Sequence, residues 1–133
     1  MKRINGHVTW EVRFGGRFLE GIRSGAKRQT IRRGECVEAG DALRLCGPAG
    51  GTLMEVNAAE AEGILIRACE ADDGSGGSVR TVFVRLGGKV LDEKGADAPA
   101  RADGFGGVAD MMAFMEDNEL FMHGILDGQV IRW

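Results

Sequence analysis

The chain has few of the features that announce a membrane, secreted or metal-bound protein. No apolar run approaches the roughly 20 residues a helix needs to cross a bilayer. The first residues, Met1-Lys2-Arg3-Ile4-Asn5-Gly6, are basic without a hydrophobic stretch behind them, so no signal peptide is expected. Cysteine occurs three times, as Cys36, Cys46 and Cys69, with one left unpaired in any pairing and no C-x-x-C spacing. That pattern argues against a disulfide framework and against a zinc site, and reduced thiols in a cytoplasm are the simple reading. The two histidines, His7 and His123, form no H-E-x-x-H pattern and read as surface or packing residues, so no metal is expected. Tyrosine is absent, and with two tryptophans and six phenylalanines the core needs most of its aromatics. Trp10 and Trp133 are accordingly read as packing residues before base-stacking platforms.

Glycine, by contrast, is abundant. Its 22 copies are scattered over 133 residues, which indicates many tight turns and short strands in a single domain spanning residues 1–133. The net charge of −3 hides an asymmetry. Residues 1–33 carry nine basic and two acidic side chains, a net of +7, so the remainder carries −10. A basic patch facing phosphate and a solvated face balanced by the acidic remainder both fit this distribution.

Alternation predicts strands over Val8 to Arg13, Asp41 to Cys46 and Val79 to Leu86, with shorter extended pieces at 29–32, 53–56, 63–68, 89–91 and 129–133. The alanine and glutamate residues between 56 and 63 also permit a helical turn. Arg17 to Ser24 reads as a helix stopped by Gly25. Gly107 to Asn118 reads as another, with Val108, Met111, Met112 and Met115 forming one apolar stripe of core type. The stretch 71–78 reads as flexible and 92–102 as a polar surface loop. Short strands, a helix near each end and no βαβ alternation give an α+β fold expected to be a small β-barrel.

The chemically informative stretch is Gly25-Ala26-Lys27-Arg28-Gln29-Thr30-Ile31-Arg32. A turn delivers Lys27 and a strand follows, in which Thr30 and Arg32 share a face. An ammonium, a hydroxyl and a guanidinium meeting where the helix joins the strands would suit an anionic or amide-bearing ligand. A solvated helix end is the plainer alternative. The stretch is not a Walker A loop, because Lys27 follows Ala26 and precedes Arg28.

This stretch resembles the G-x-K-x-x-T-x-R signature of ASCH domains, and Asp103-Gly104-Phe105 before an amphipathic helix is similar to that family's acidic-Gly-Phe element. The ending, His123-Gly124 through Trp133, is similar to the tail of short ASCH proteins of phages and prophages. The resemblance implies a PUA-like barrel in a bacterial cytoplasm that binds RNA or a modified nucleoside or nucleotide, without a cofactor. Arg23, Arg28 and Arg32 would contact the ligand. It also implies that, should the chain be an amidohydrolase acting on acetylcytidine, Lys27, Thr30 and Asp103 carry the reaction. Asp103 stands where those enzymes have a glutamate, which shortens the carboxylate's reach. Ribonuclease activity, docking of an acidic protein partner, and a simple Lys27–Asp103 ion pair fastening the fold remain alternatives.

Overall fold

A computed structural model describes residues 7–34 and 36–133, so the basic start at Lys2 and Arg3 lies outside the described residues. Strand β1 (Thr9–Arg13) leads through a 3-10 turn (Gly16–Phe18) into α1 (Leu19–Ser24). Then come β2 (Gln29–Arg33), β3 (Ala42–Cys46), β4 (Thr52–Asn57), β5 (Glu60–Asp72), β6 (Ser78–Leu86) and β7 (Lys89–Leu91). Helices α2 (Glu93–Ala102) and α3 (Val108–Asp117) precede the last strand, β8 (Ile125–Arg132). The strands pair into two sheets, of order β1-β3-β4 and β2-β8-β5-β6-β7, giving a mostly stranded domain with a few helices. Among the described strands only β1 and β3 run parallel, as the intervening α1–β2 crossover allows. No ladder among the described strands joins the two sheets into a closed ring.

The predicted alternation appears as burial. Along β6, Val82 and Val84 are buried while Phe83 and Arg85 face outward, and their partners Ile66 and Ala68 on β5 continue the inner face. The methionine stripe of α3 closes the core: Met111, Met112 and Met115 are each 2% exposed. The glycine-rich stretch after β5 closes the β5–β6 hairpin. Asp73 N–H bonds the Gly77 carbonyl, and the Asp73 carboxylate accepts from the Ser75 N–H and hydroxyl.

Three expectations are corrected. Residues 92–102 are not a surface loop but contain α2. Asp92 caps it by accepting from Gly95 N–H, and Ala96 and Ala100, one turn apart, are buried on its inner side. Small alanines gave no apolar stripe to read. Residues between 57 and 63 do not form a helical turn: β5 begins at Glu60, after a short turn in which Ala58 N–H bonds the Asp41 carbonyl. Finally, β8 begins at Ile125 rather than Gln129, because Gly128 does not interrupt it. A Cβ at Gly128 would lie 2.0 Å from the Arg32 carbonyl oxygen, so glycine is what permits β2 and β8 to pair closely there.

Asp41, fully buried, ties the start of β1 to the start of β3. Its carboxylate accepts from the Trp10 indole at 2.9 Å, from Glu38 and Val8 N–H groups, and lies 3.3 Å from His7 Nδ1. Trp10 thus has a structural partner for its one donor. No helix among the described residues is long and apolar enough to cross a membrane.

Candidate functional site

Two glycine turns shape the site. Gly25 ends α1 in the left-handed region, φ 82°, and its N–H bonds the Ile22 carbonyl. Lys27 N–H then folds back onto the Gly21 carbonyl, which sends the Lys27 side chain inward, to 3% exposure. On the other side Asp103 follows α2, and Gly104 takes φ 99°. A Cβ there would press on the Phe18 ring at 3.2 Å, so the Asp103-Gly104-Phe105 turn approaches this closely only with glycine.

Between these turns lies a pocket of about 220 Å³. Its walls are Phe14, Phe18, Phe105 and Phe114, with Ile31 and Met115. Its polar lining is Lys27, Thr30, Asp103, Arg32, Arg13, Arg33 and Asn118. Lys27, Thr30 and Asp103 are all buried and form the floor, whereas Arg13, Arg33 and Asn118 are exposed and form the mouth.

Lys27 Nζ stands 3.4 Å from Asp103 Oδ1 and gives its hydrogen bond to the Asp103 main-chain carbonyl. The ammonium also lies over the Phe18 ring at 4.7 Å and the Phe14 ring at 5.6 Å. Burial dominates the electrostatics of both groups. It lowers the Lys27 pKa below the usual lysine value against the pull of Asp103. It pushes the Asp103 pKa up to about 6, although Lys27, Arg32 and Gln29 oppose that rise. Asp103 Oδ1 receives no hydrogen bond, even though it is buried. At 3.4 Å, Lys27 offers it charge but not a well-formed hydrogen bond.

Thr30 Oγ1 accepts from Arg32 Nε at 3.1 Å, as expected for residues two apart on one strand face. Arg32 is fixed further by a bond to the Arg13 carbonyl and by its guanidinium over the Phe14 ring at 4.7 Å. Lys27, Thr30, Arg32 and Asp103 therefore meet around one hollow. Arg23 and Arg28 do not: both are exposed and neither lines the pocket. Arg23 sits in the last turn of α1, and Arg28 points away from its inward neighbours Lys27 and Gln29.

Several contributors escaped the sequence reading. Phe14 lies just past the strand read as ending at Arg13. Gln29, 5% exposed, joins β2 to α2 by donating to the Pro99 carbonyl and accepts from Arg132 Nε. Arg17 lies over Phe18, Phe105 and Phe114 at 5.1 to 5.6 Å and is held by Asp110 at 2.6 Å, bracing the aromatic wall from outside. The spacing of Phe14 and Phe18 is the one signal that could have pointed to this wall. No group of three or more His, Cys, Asp or Glu side chains that could hold a metal ion occurs among the described residues.

Comparison with protein-family models, curated proteins and solved structures found no match to this chain.

Proposed function

We propose that this chain is an ASCH domain of the PUA-like group, its two sheets serving as that group's barrel, and that the pocket binds a nucleobase of RNA or of a modified nucleoside. The observation that carries this reading is the buried Asp103 Oδ1 without a hydrogen bond, on the floor of a pocket walled by four phenylalanines. Lys27 at 3.4 Å gives this oxygen charge without a well-formed hydrogen bond, so a ligand N–H that donates to it adds a charge-assisted bond worth about 1.5–3 kcal/mol. Lys27, Thr30 and Arg32 add donors beside it. A flat heteroaromatic ring carries N–H donors and carbonyl acceptors on its edge and apolar faces for the phenylalanines, so it satisfies both kinds of lining.

Calorimetric titration with N4-acetylcytidine and the four common ribonucleosides tests this. At least one should bind, and Asp103→Ala and Thr30→Val should each weaken that binding about tenfold, the loss of one hydrogen bond to a buried or charged group. If neither a nucleoside nor a short RNA binds, the reading fails.

A second reading, amide hydrolysis of an acylated nucleoside, draws on the lowered Lys27 pKa beside Thr30 in the same hollow. Neutral Lys27 would take the Thr30 hydroxyl proton as that oxygen bonds the acyl carbon, and would return it to the leaving base amine as the C–N bond breaks. Asp103 would hold Lys27. Water would then cleave the acyl-threonine ester, which releases acetate and restores the Thr30 hydroxyl. Acetate release from N4-acetylcytidine that is equal in the wild type and Lys27→Ala would end this reading.

A further inference from the structure

The buried floor and the exposed mouth of the pocket differ in charge. On the floor, Lys27 and Asp103 offset one another. At the mouth, Arg13 is paired with Glu11 at 3.1 Å, and that carboxylate is shared with Arg44. Arg33 is different. Its guanidinium donates to the Leu120 carbonyl at 3.3 Å, and no carboxylate among the described residues lies within ion-pair distance of it. That bond orients Arg33 across the gap between β2 and the chain after α3 without neutralising it. The one carboxylate of the pocket lining lies at the bottom, and of the two mouth arginines Arg33 alone has no carboxylate partner among the described residues.

We propose that the mouth is a phosphate subsite in which Arg33, assisted by Arg13, holds a phosphate attached to the base-bearing sugar, so that the ligand is a nucleotide rather than a free nucleoside. This rests on the base reading above and fixes the ligand's direction: base edge toward Asp103, phosphate toward Arg33. Three observations support it. The guanidinium is positioned by a neutral acceptor, which leaves other N–H groups for bidentate contact with an oxyanion. Its place in the lining is opposite in burial to the floor, as a ligand with one flat apolar end and one hydrated charged end requires. The candidate cations Arg23 and Arg28, by contrast, do not reach this pocket. The phosphate could be the monoester of a mononucleotide or the diester of an RNA strand; the chemistry recognised is the same.

The test compares the ribonucleosides with their 5′- and 3′-monophosphates and with six-nucleotide RNAs, by calorimetry at two salt concentrations. The phosphorylated forms should bind about tenfold tighter than the matching nucleoside, as one charge-assisted contact supplies. In Arg33→Gln the ratio of nucleotide to nucleoside affinity should fall to about one, and the slope of log affinity against log salt should shrink by about one. Arg33→Lys should restore part of the ratio. A gain seen with mononucleotides identifies a monoester site; a gain confined to RNA identifies a diester. Equal affinity for nucleoside and nucleotide in the wild type, or a ratio unchanged in Arg33→Gln, overturns the subsite while leaving base binding intact. Failure of every probe to bind overturns the base reading and the subsite together.

Discussion

Replacing Lys27 by methionine should destabilise the fold, and replacing Lys27 and Asp103 together should not. Both residues are almost fully buried, at 3% and 4% exposure, and their 3.4 Å contact is long for an ion pair asked to offset two desolvations. The raised pKa of Asp103 and the lowered pKa of Lys27 both say that burial outweighs attraction. Removing one partner leaves an uncompensated group in an apolar pocket, a cost of about 3 kcal/mol, near the low end for buried pairs because the remaining Asp103 can take up a proton. The double variant Lys27→Met/Asp103→Asn should lie within about 1 kcal/mol of the wild type or above it. Urea unfolding at pH 7, followed by tryptophan fluorescence, reads this directly. With a denaturant slope of about 2 kcal/mol per molar, the single variant's midpoint should fall by about 1.5 M. Losses that simply add in the double variant, or a Lys27→Met protein as stable as the wild type, would refute the view that these groups form a costly pair kept for binding.

Three further outcomes follow from the same structure. Because folding raises the Asp103 pKa from 3.8 to about 6, its contribution to stability is fully present below about pH 4 and lost as pH rises through 6; compared with Asp103→Asn by urea unfolding, the wild type should gain about 3 kcal/mol, to order of magnitude, as pH falls across that window. Gly128→Ala would drive a Cβ into the Arg32 carbonyl and separate β2 from β8, so its melting temperature should fall by about 5 °C or more, and base binding should weaken with it because Arg32 and Arg33 shift. Asp92→Ala removes the N-cap of α2 and should cost about 1 kcal/mol in the same unfolding assay without altering the pocket.

What could be read from the sequence was whatever showed a period or a turn residue. Thr30 and Arg32 were placed on one face by the two-residue repeat, and Gly25 marked the end of α1, so Lys27, Thr30 and Arg32 were legible as a group. The approach of Asp103 has no local sequence signal, since 76 residues separate it from Lys27 and no local rule spans that distance. Helix α2 shows no apolar period because its buried side chains are alanines, and the start of β8 is hidden because Gly128 looks like a break when its tight neighbour is unseen. The arginines show the limit most clearly. Four of them, Arg23, Arg28, Arg32 and Arg33, stand within eleven residues, and only tertiary packing decides that Arg32 and Arg33 reach the pocket while Arg23 and Arg28 face solvent.

The most direct measurement is a two-dimensional NMR titration of the labelled protein with N4-acetylcytidine, the common nucleosides and their monophosphates. Binding in the pocket predicts saturable shifts concentrated at Phe14, Lys27, Thr30, Phe105 and the Asp103 carboxyl carbon, with the Asp103 pKa falling as a ligand N–H donates to Oδ1. Shifts confined to surfaces away from these residues, or an Asp103 titration unchanged at saturation, would contradict it.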